Sequence, residues 1–323
     1  MKDGKTVWLP YRRSQIPGLP DGLSYAYWDG SGPLPGDPAD VGFLVGPPAP
    51  GAERVLRPVL PRMRNLKVLQ LLSSGYDHMM PLLDDMPSGT RLATGRGVHR
   101  EATAELAVTL LLALCRGLDR FAAHQAHGKW RPEFRSSLVG KRVMVIGYGA
   151  VGASVADRLG AFRCEPVIVA RTARTTPSGR VHGMAELHAL LPTVDAVVLC
   201  APLTDTTRGM LGADALALLK DGALLVNVAR GELVDTRALV RDVRAGRLRV
   251  GLDVTDPEPL PSAHPLWNLP GAVITPHVAA FTDAFPTMTA DFVRRQLYRY
   301  ERGEELHNVV LTTTPAEGGE QAA

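Results

Sequence analysis

An α/β fold with two doubly wound, parallel-sheet domains is the architecture this sequence predicts. Three observations carry that reading. Short β-rich runs recur along the chain, helix-forming stretches separate them, and one run leads through Gly147-Tyr148-Gly149-Ala150-Val151-Gly152 straight into an Ala-rich segment. With roughly 150 residues per domain as a guide, 323 residues leave room for two cores.

The first strands are expected at Thr6 to Pro10, Ser24 to Trp28, Val41 to Val45 and Leu66 to Leu72, where β-branched, aromatic and aliphatic residues cluster. Gly- and Pro-rich segments such as Asp29 to Pro38 punctuate them, and a helix begun near Ala52 is closed by Pro61-Arg62-Met63-Arg64. This small first domain ends near Arg96. Glu101 to Lys129 has no proline and is rich in Ala, Leu and Glu, which predicts one long helix or two joined ones. Its middle is too apolar for a surface, so it is expected to be buried on most sides as an element connecting the domains.

A strand at Arg142 to Ile146, the glycine loop and a helix through Leu159 come next. Further strands are predicted at Pro166 to Ala170, Ala196 to Cys200, Ala223 to Val228, Arg249 to Val254 and Ala272 to Ile274. Asp291 to Arg302 reads as a final amphipathic helix whose Arg294, Arg295, Arg299 and Arg302 form a solvated face. Thr312 to Ala323 reads as a mobile tail.

Composition narrows the function. Lys plus Arg total 36 and Asp plus Glu 33, a net charge of +3, which excludes a strongly basic nucleic-acid binder. The longest apolar stretch, Leu106 to Cys115, is far short of the roughly 20 residues of a membrane span. The start lacks the apolar core and cleavage site of a secretion signal, so a cytoplasmic protein is expected. Cys115, Cys164 and Cys200 are odd in number, far apart and set in apolar segments. They are expected to pack in the core rather than pair or bind metal, and no metal site is predicted.

The glycine loop points to a dinucleotide. Gly147 permits the tight turn, Gly149 lets backbone approach a pyrophosphate, and Gly152 lets helix pack on strand. The amides at Ala150 and Val151 open the helix whose positive end would face the phosphates. The end of the next strand, Val167-Ile168-Val169-Ala170-Arg171-Thr172-Ala173-Arg174, holds no acid for a ribose 2′-hydroxyl. Arg171 and Arg174 instead offer charge-assisted bonds to the 2′-phosphate of NADP, and Thr172 a hydroxyl. NADP is therefore the expected cofactor, with NAD the alternative if both arginines are merely solvated.

The chain resembles the D-isomer-specific 2-hydroxyacid dehydrogenases along nearly its full length. The likeness rests on Ser73-Ser74-Gly75-Tyr76-Asp77, Ala104-Glu105, the glycine loop and Pro202-Leu203-Thr204-Asp205-Thr206-Thr207. It rests further on Asn227-Val228-Ala229-Arg230-Gly231, Leu252 to Pro259, and Thr275-Pro276-His277. The type it is most similar to is the NADPH-dependent glyoxylate/hydroxypyruvate reductases.

The resemblance implies a discontinuous flavodoxin-like substrate domain, 1–98 with 283–323, around a Rossmann cofactor domain, 99–282. It also implies a homodimer and closure of a cleft on a small 2-oxo or 2-hydroxy acid substrate.

By the same resemblance Arg230, Glu258 and His277 form the catalytic set. The chemistry needs these types: an always-charged fork for the substrate carboxylate and carbonyl, and a proton donor with a reference pKa near ~6.5. A carboxylate favours the imidazolium and orients the ring. Taken singly, Arg230 could be a surface charge, Glu258 a loop acid and His277 a core histidine.

The amides of Ser74 and Gly75 resemble the loop that binds substrate carboxylate, with Leu72 and Tyr76 as pocket walls. Asp253 resembles the residue that bonds the nicotinamide carboxamide, or else is a turn-forming acid closing its strand. Ala201, Pro202, Val228 and Thr207 would line the cofactor site.

Two departures stand out: Ala170 occupies the place where NAD-using members carry Asp, and a bulky Phe281 stands where many relatives have a small residue. Two rival readings remain. A phosphite-type dehydrogenase would keep the same Arg, Glu and His, whereas formate dehydrogenases carry Gln in place of Glu258. A nucleotide-sensing corepressor would reuse the fold as a binding protein.

Overall fold

The computed structural model describes residues 4–48, 51–177 and 179–314. They form two compact units, one built from the chain up to His99 and again from Asp283, the other running from Arg100 to Thr282. In chain order the first unit contributes β1 (Thr6–Leu9), β2 (Ser24–Tyr27), β3 (Val41–Val45), α1 (Ala52–Leu56), β4 (Val68–Gln70) and β5 (Arg91–Ala93). The second begins with α2 (Arg100–Arg116), α3 (Leu118–Ala126), β6 (Arg142–Ile146), α4 (Ala150–Ala161) and β7 (Glu165–Ala170). It continues through β8 (Arg174–Thr176), β9 (Gly179–Gly183), α5 (Leu187–Leu190), β10 (Ala196–Leu199) and α6 (Ala213–Ala217). It ends with β11 (Ala223–Asn227), α7 (Thr236–Arg244), β12 (Leu248–Leu252) and β13 (Ala272–Ile274). The first unit then resumes with α8 (Phe285–Glu301) and β14 (Val309–Thr312).

The first unit is a six-stranded sheet ordered β14-β5-β4-β3-β1-β2, parallel except for β14, which runs antiparallel to β5. Successive side chains of a strand point to opposite faces, and each face has its own core. Val7, Leu9, Phe43 and Val45 pack on one side with Phe292, Val293 and Leu297 of α8. Trp8 and Leu44 pack on the other with Leu56, Leu60 and Leu82.

The second unit is an eight-stranded sheet ordered β13-β12-β11-β10-β6-β7-β9-β8, parallel except for the β8–β9 hairpin at its edge. Met144, Ile146, Val197 and Leu199 face one core, while Val143, Val145 and Val198 face the other. The α/β class with parallel-dominant sheets thus matches the sequence reading.

The helix expected over Glu101 to Lys129 is two helices, broken at Gly117, whose φ of +68° interrupts the α conformation. Ala104, Ala107, Leu110, Leu111 and Leu114 of α2 pack against the second unit's own sheet, close enough that a β-carbon on Gly251 would lie 2.9 Å from the Leu110 β-carbon. Cys115 is buried in the same core, with Cys164 and Cys200 packed at its margin as free thiols.

The last helix begins at Phe285, ahead of the expected Asp291, with Pro286 in its first turn, where the missing amide hydrogen costs nothing. Its arginines lie on a partly exposed face, Arg294 and Arg295 paired with Asp291 and Arg302 with Glu304. The expected tail is corrected at its start: Thr312 closes β14, and the Thr313 hydroxyl accepts from the Thr90 amide at 2.9 Å and donates to the Pro87 carbonyl at 2.6 Å. The remainder, from residue 315, lies outside the described residues. Among the described residues no helix is long and apolar enough to cross a membrane.

Candidate active site

Nearly every site residue nominated in the second unit lies at or just beyond the carboxyl end of a parallel strand. Gly147 to Gly152 follow β6, Arg171 and Thr172 follow β7, and Ala201 and Pro202 follow β10. Val228 and Arg230 follow β11, Asp253 and Glu258 follow β12, and His277 follows β13. Strand order reverses between β6 and β10, and doubly wound sheets bind ligands outside the carboxyl ends at such a point.

The glycine loop divides its work. Gly147 has φ +102°, and a β-carbon there would lie 2.5 Å from the Ala201 amide nitrogen. At Gly152 it would lie 1.8 Å from the Gly147 carbonyl oxygen, so helix and loop close only on glycine. At Gly149 it would meet nothing within 4 Å, leaving a bare stretch of backbone at the mouth of α4. The first amides of that helix, at Ala150 and Val151, have no carbonyl one turn back and sit at the positive end of its dipole. Open backbone, free donors and positive potential together fit the pyrophosphate of a dinucleotide.

Beyond β7 no carboxylate is present. Ala170 is buried, and Arg171 is exposed and engages no partner among the described residues. Arg174 opens β8, donates to the Thr172 carbonyl at 3.3 Å, and places its guanidinium carbon 5.8 Å from the ring centre of Tyr148 in the glycine loop. The Thr207 hydroxyl, nominated for the cofactor, turns into its own loop, donating to the Pro202 carbonyl at 2.7 Å and accepting from the Thr204 amide at 2.8 Å.

His277 and Glu258 meet. The histidine Nδ1 lies 2.6 Å from Glu258 Oε1, with both side chains about two-fifths exposed. Partial burial raises the Glu258 carboxyl, but the His277 hydrogen bond and charge, the Thr255 backbone and the Arg230 guanidinium outweigh it. The group therefore ionises below its ordinary value of 4.5.

The loops bearing Arg230 and Glu258 touch through glycine, since a β-carbon on Gly231 would lie 2.1 Å from the Thr255 carbonyl. Arg230 itself donates from Nη1 to the Ala229 carbonyl at 2.7 Å. Three residues with complementary charge and acid–base chemistry are therefore gathered on one edge of one sheet.

Two buried polar side chains hold these loops, and one of them was missed as a site residue. Asn227, 1% exposed, donates from Nδ2 to the Arg230 carbonyl at 2.8 Å and accepts the Ala229 amide at 3.0 Å, bracing the Arg230 turn. Its signal in the sequence is a polar residue ending an otherwise apolar strand. Asp253, 2% exposed, accepts from the Thr275 hydroxyl and from the Val278 and Ala279 amides.

In the first unit, Ser74 and Gly75 lie beyond the carboxyl end of β4, and their amides meet no acceptor among the described residues. Tyr76 is half-buried against that unit's core. Leu72, 4% exposed, packs in that unit's core, and its carbonyl meets His99 Nε2 at 2.6 Å.

Comparison with known proteins bears on this arrangement. Residues 108–279 match the family described as D-isomer specific 2-hydroxyacid dehydrogenase, NAD binding domain. A glyoxylate reductase/hydroxypyruvate reductase of Homo sapiens is 33% identical over 75% of this chain and 76% of its own. A glyoxylate reductase of Thermococcus litoralis is 29% identical over 81% and 83%. A solved D-isomer specific 2-hydroxyacid dehydrogenase of Xanthobacter autotrophicus Py2, in complex with NADPH and MES, superposes with a TM-score of 0.77. It is 28% identical, and the match covers 96% of this chain and 98% of that one. With fold, loop chemistry and relatives in agreement, the chain belongs to the D-isomer specific 2-hydroxyacid dehydrogenases, oxidoreductases that work with a nicotinamide cofactor on small 2-hydroxy or 2-oxo acids.

Proposed function

We propose that this protein reduces a short 2-oxo acid to the D-2-hydroxy acid with NADPH as the preferred cofactor. The observation that carries the reading is the His277–Glu258 pair beside Arg230, on the same sheet edge as the open glycine loop. When bound, a reduced nicotinamide would supply a hydride for the substrate's carbonyl carbon, and the chain's own residues would supply the proton for its oxygen.

Arg230 holds the substrate carboxylate and draws electron density toward the carbonyl oxygen. His277 uses Nδ1 for Glu258, which leaves Nε2 to donate its proton to that oxygen as negative charge develops there. Glu258, ionised through the neutral range, stabilises the imidazolium before transfer and keeps the ring oriented after it. The two cations favour charge that is greatest in the transition state.

The preference for NADPH draws on Ala170, Arg171 and Arg174, and on the NADPH bound by the Xanthobacter relative. Glyoxylate and hydroxypyruvate lead the substrate class because the human relative is named for them. A cytoplasmic homodimer completes the reading. It is supported by Trp130 and Phe134, whose rings are fully exposed on the segment after α3 and offer apolar surface to a second copy.

Steady-state kinetics test this reading, with glyoxylate, hydroxypyruvate, pyruvate, an aromatic 2-oxo acid and phosphite, each with NADPH and NADH. Turnover of the short 2-oxo acids with kcat/KM at least about tenfold higher for NADPH is expected, a difference near 1.4 kcal/mol. Turnover of phosphite alone would reassign the reaction. NADPH binding without any turnover would make the protein a nucleotide sensor.

A further inference from the structure

We propose that Asp253 is the positioning residue of His277: its buried carboxylate folds the Thr275–Ala279 turn that aims the imidazole at Glu258. The proposal rests on the assignment of His277 as proton donor and explains how the chain holds that donor in place.

After β13 ends at Ile274, the backbone makes a turn in which His277 adopts φ +54°, a left-handed conformation that a β-carbon disfavours. A histidine stays there only if its surroundings enforce it. Asp253 supplies most of the enforcement. Oδ1 accepts the Thr275 hydroxyl at 2.6 Å and the Val278 amide at 2.9 Å, Oδ2 accepts the Ala279 amide at 3.1 Å, and its carbonyl accepts the His277 amide at 2.8 Å.

One residue thus receives four donors from five consecutive positions. It is anchored in turn by its own amide, bonded to the Asn227 carbonyl at 2.9 Å, which ties it to the loop carrying Arg230. With the side chain 2% exposed, water cannot replace these acceptors.

The arrangement requires a carboxylate. Three donors converge on two oxygens, so an amide at this position would turn an NH₂ group toward an N–H or O–H hydrogen. A carboxylate has about four lone-pair directions, and three are used here. The remaining one on Oδ2 can take one more donor, so contact with a nicotinamide carboxamide and support of the turn are compatible. The two roles separate in what each would change when lost.

The experiment compares full-length wild type with Asp253→Asn, Thr275→Val, Glu258→Gln, His277→Ala and the Asp253→Asn/Glu258→Gln double variant. It measures NADPH affinity by fluorescence, the pH profile of kcat, and the His277 imidazole nitrogen signals by NMR, with Tm as a check on folding.

Asp253→Asn is expected to keep NADPH affinity within about threefold, to lower kcat by about 50-fold or more, and to move the pH profile in the same direction as Glu258→Gln. The double variant should fall little below the worse single one, because both break the same alignment. Thr275→Val removes one donor of the set and should give the same signature at about three- to tenfold, which keeps the test open if Asp253→Asn folds poorly.

Lost NADPH affinity with an unmoved pH profile would make Asp253 a carboxamide contact only and overturn the proposal, as would an unchanged Nδ1 signal in both variants. Near-normal turnover of His277→Ala would remove the donor assignment. An altered Nδ1 signal in Asp253→Asn would still support the positioning role in that case.

Discussion

Arg230 carries two duties in the proposed reaction, and its replacement should reveal both. Arg230→Ala is expected to raise KM for the 2-oxo acid and lower kcat together, and Arg230→Lys to recover little, because a point charge cannot fork onto two oxygens. An unchanged kcat/KM would remove the residue from the site. Glu258 gives a pH test. Its ionisation lies below the ordinary carboxylate value, so His277 keeps a charged partner throughout the neutral range and loses it only as pH falls through that lowered value. In Glu258→Gln the imidazolium has no such partner, and the alkaline limb of kcat for reduction should move to lower pH; a limb that stays in place refutes the pairing. The meeting of His277 with Glu258 was legible only through the family resemblance, since each residue taken singly reads as a loop acid or a core histidine. The braces behind them were not. Asp253 gathers donors that reach it only after separate strands align, from residues 22 to 26 positions further along the chain, whereas Asn227 braces its own turn at Ala229 and Arg230, a role its residue type alone does not announce.

Elements were legible in proportion to their length and patterning. The apolar strands β1, β3, β6, β10 and β11 stand where β-branched and aliphatic runs place them. By contrast β5, β8, β9 and β14 were missed, being short, at or next to sheet edges, and in two cases polar; Arg174-Thr175-Thr176 carries no hydrophobic alternation at all. Overlooking β8 hid the fact that Arg174 is held in a hairpin and over a ring while Arg171 is loose. Arg174→Ala should therefore weaken NADPH by about tenfold or more and leave NADH nearly unchanged, measured as separate KM values; equal losses would show that the guanidinium does not meet the 2′-phosphate. The β6–α4 junction gives a paired prediction. Gly149→Ala adds a β-carbon into open space, so Tm should hold while cofactor affinity drops. Gly152→Ala drives one into the Gly147 carbonyl and should lower Tm by several degrees as well as abolish binding. Equal Tm values for the two variants would contradict that division of labour.

At the scale of the whole molecule, the glycine loop and its neighbours belong entirely to the unit from Arg100 to Thr282. Saturating NADPH should stabilise that unit first. At one hundred times Kd the gain is about 2.7 kcal/mol, or about 5–10 °C in the transition seen by calorimetry, and no shift at all would argue against a cofactor site there. The other unit is assembled from both ends of the chain. Its sheet gains β14 beside β5, and its core gains Phe292, Val293 and Leu297, only from residues that follow the whole second unit in sequence. During translation the inserted unit is thus the earlier of the two to have all its strands outside the ribosome. The five amino-terminal strands must wait meanwhile with Val7, Leu9, Phe43 and Val45 uncovered on the face that α8 later shields. That waiting interval is where a nascent chain of this design is most exposed to aggregation, and where a chaperone has most to protect.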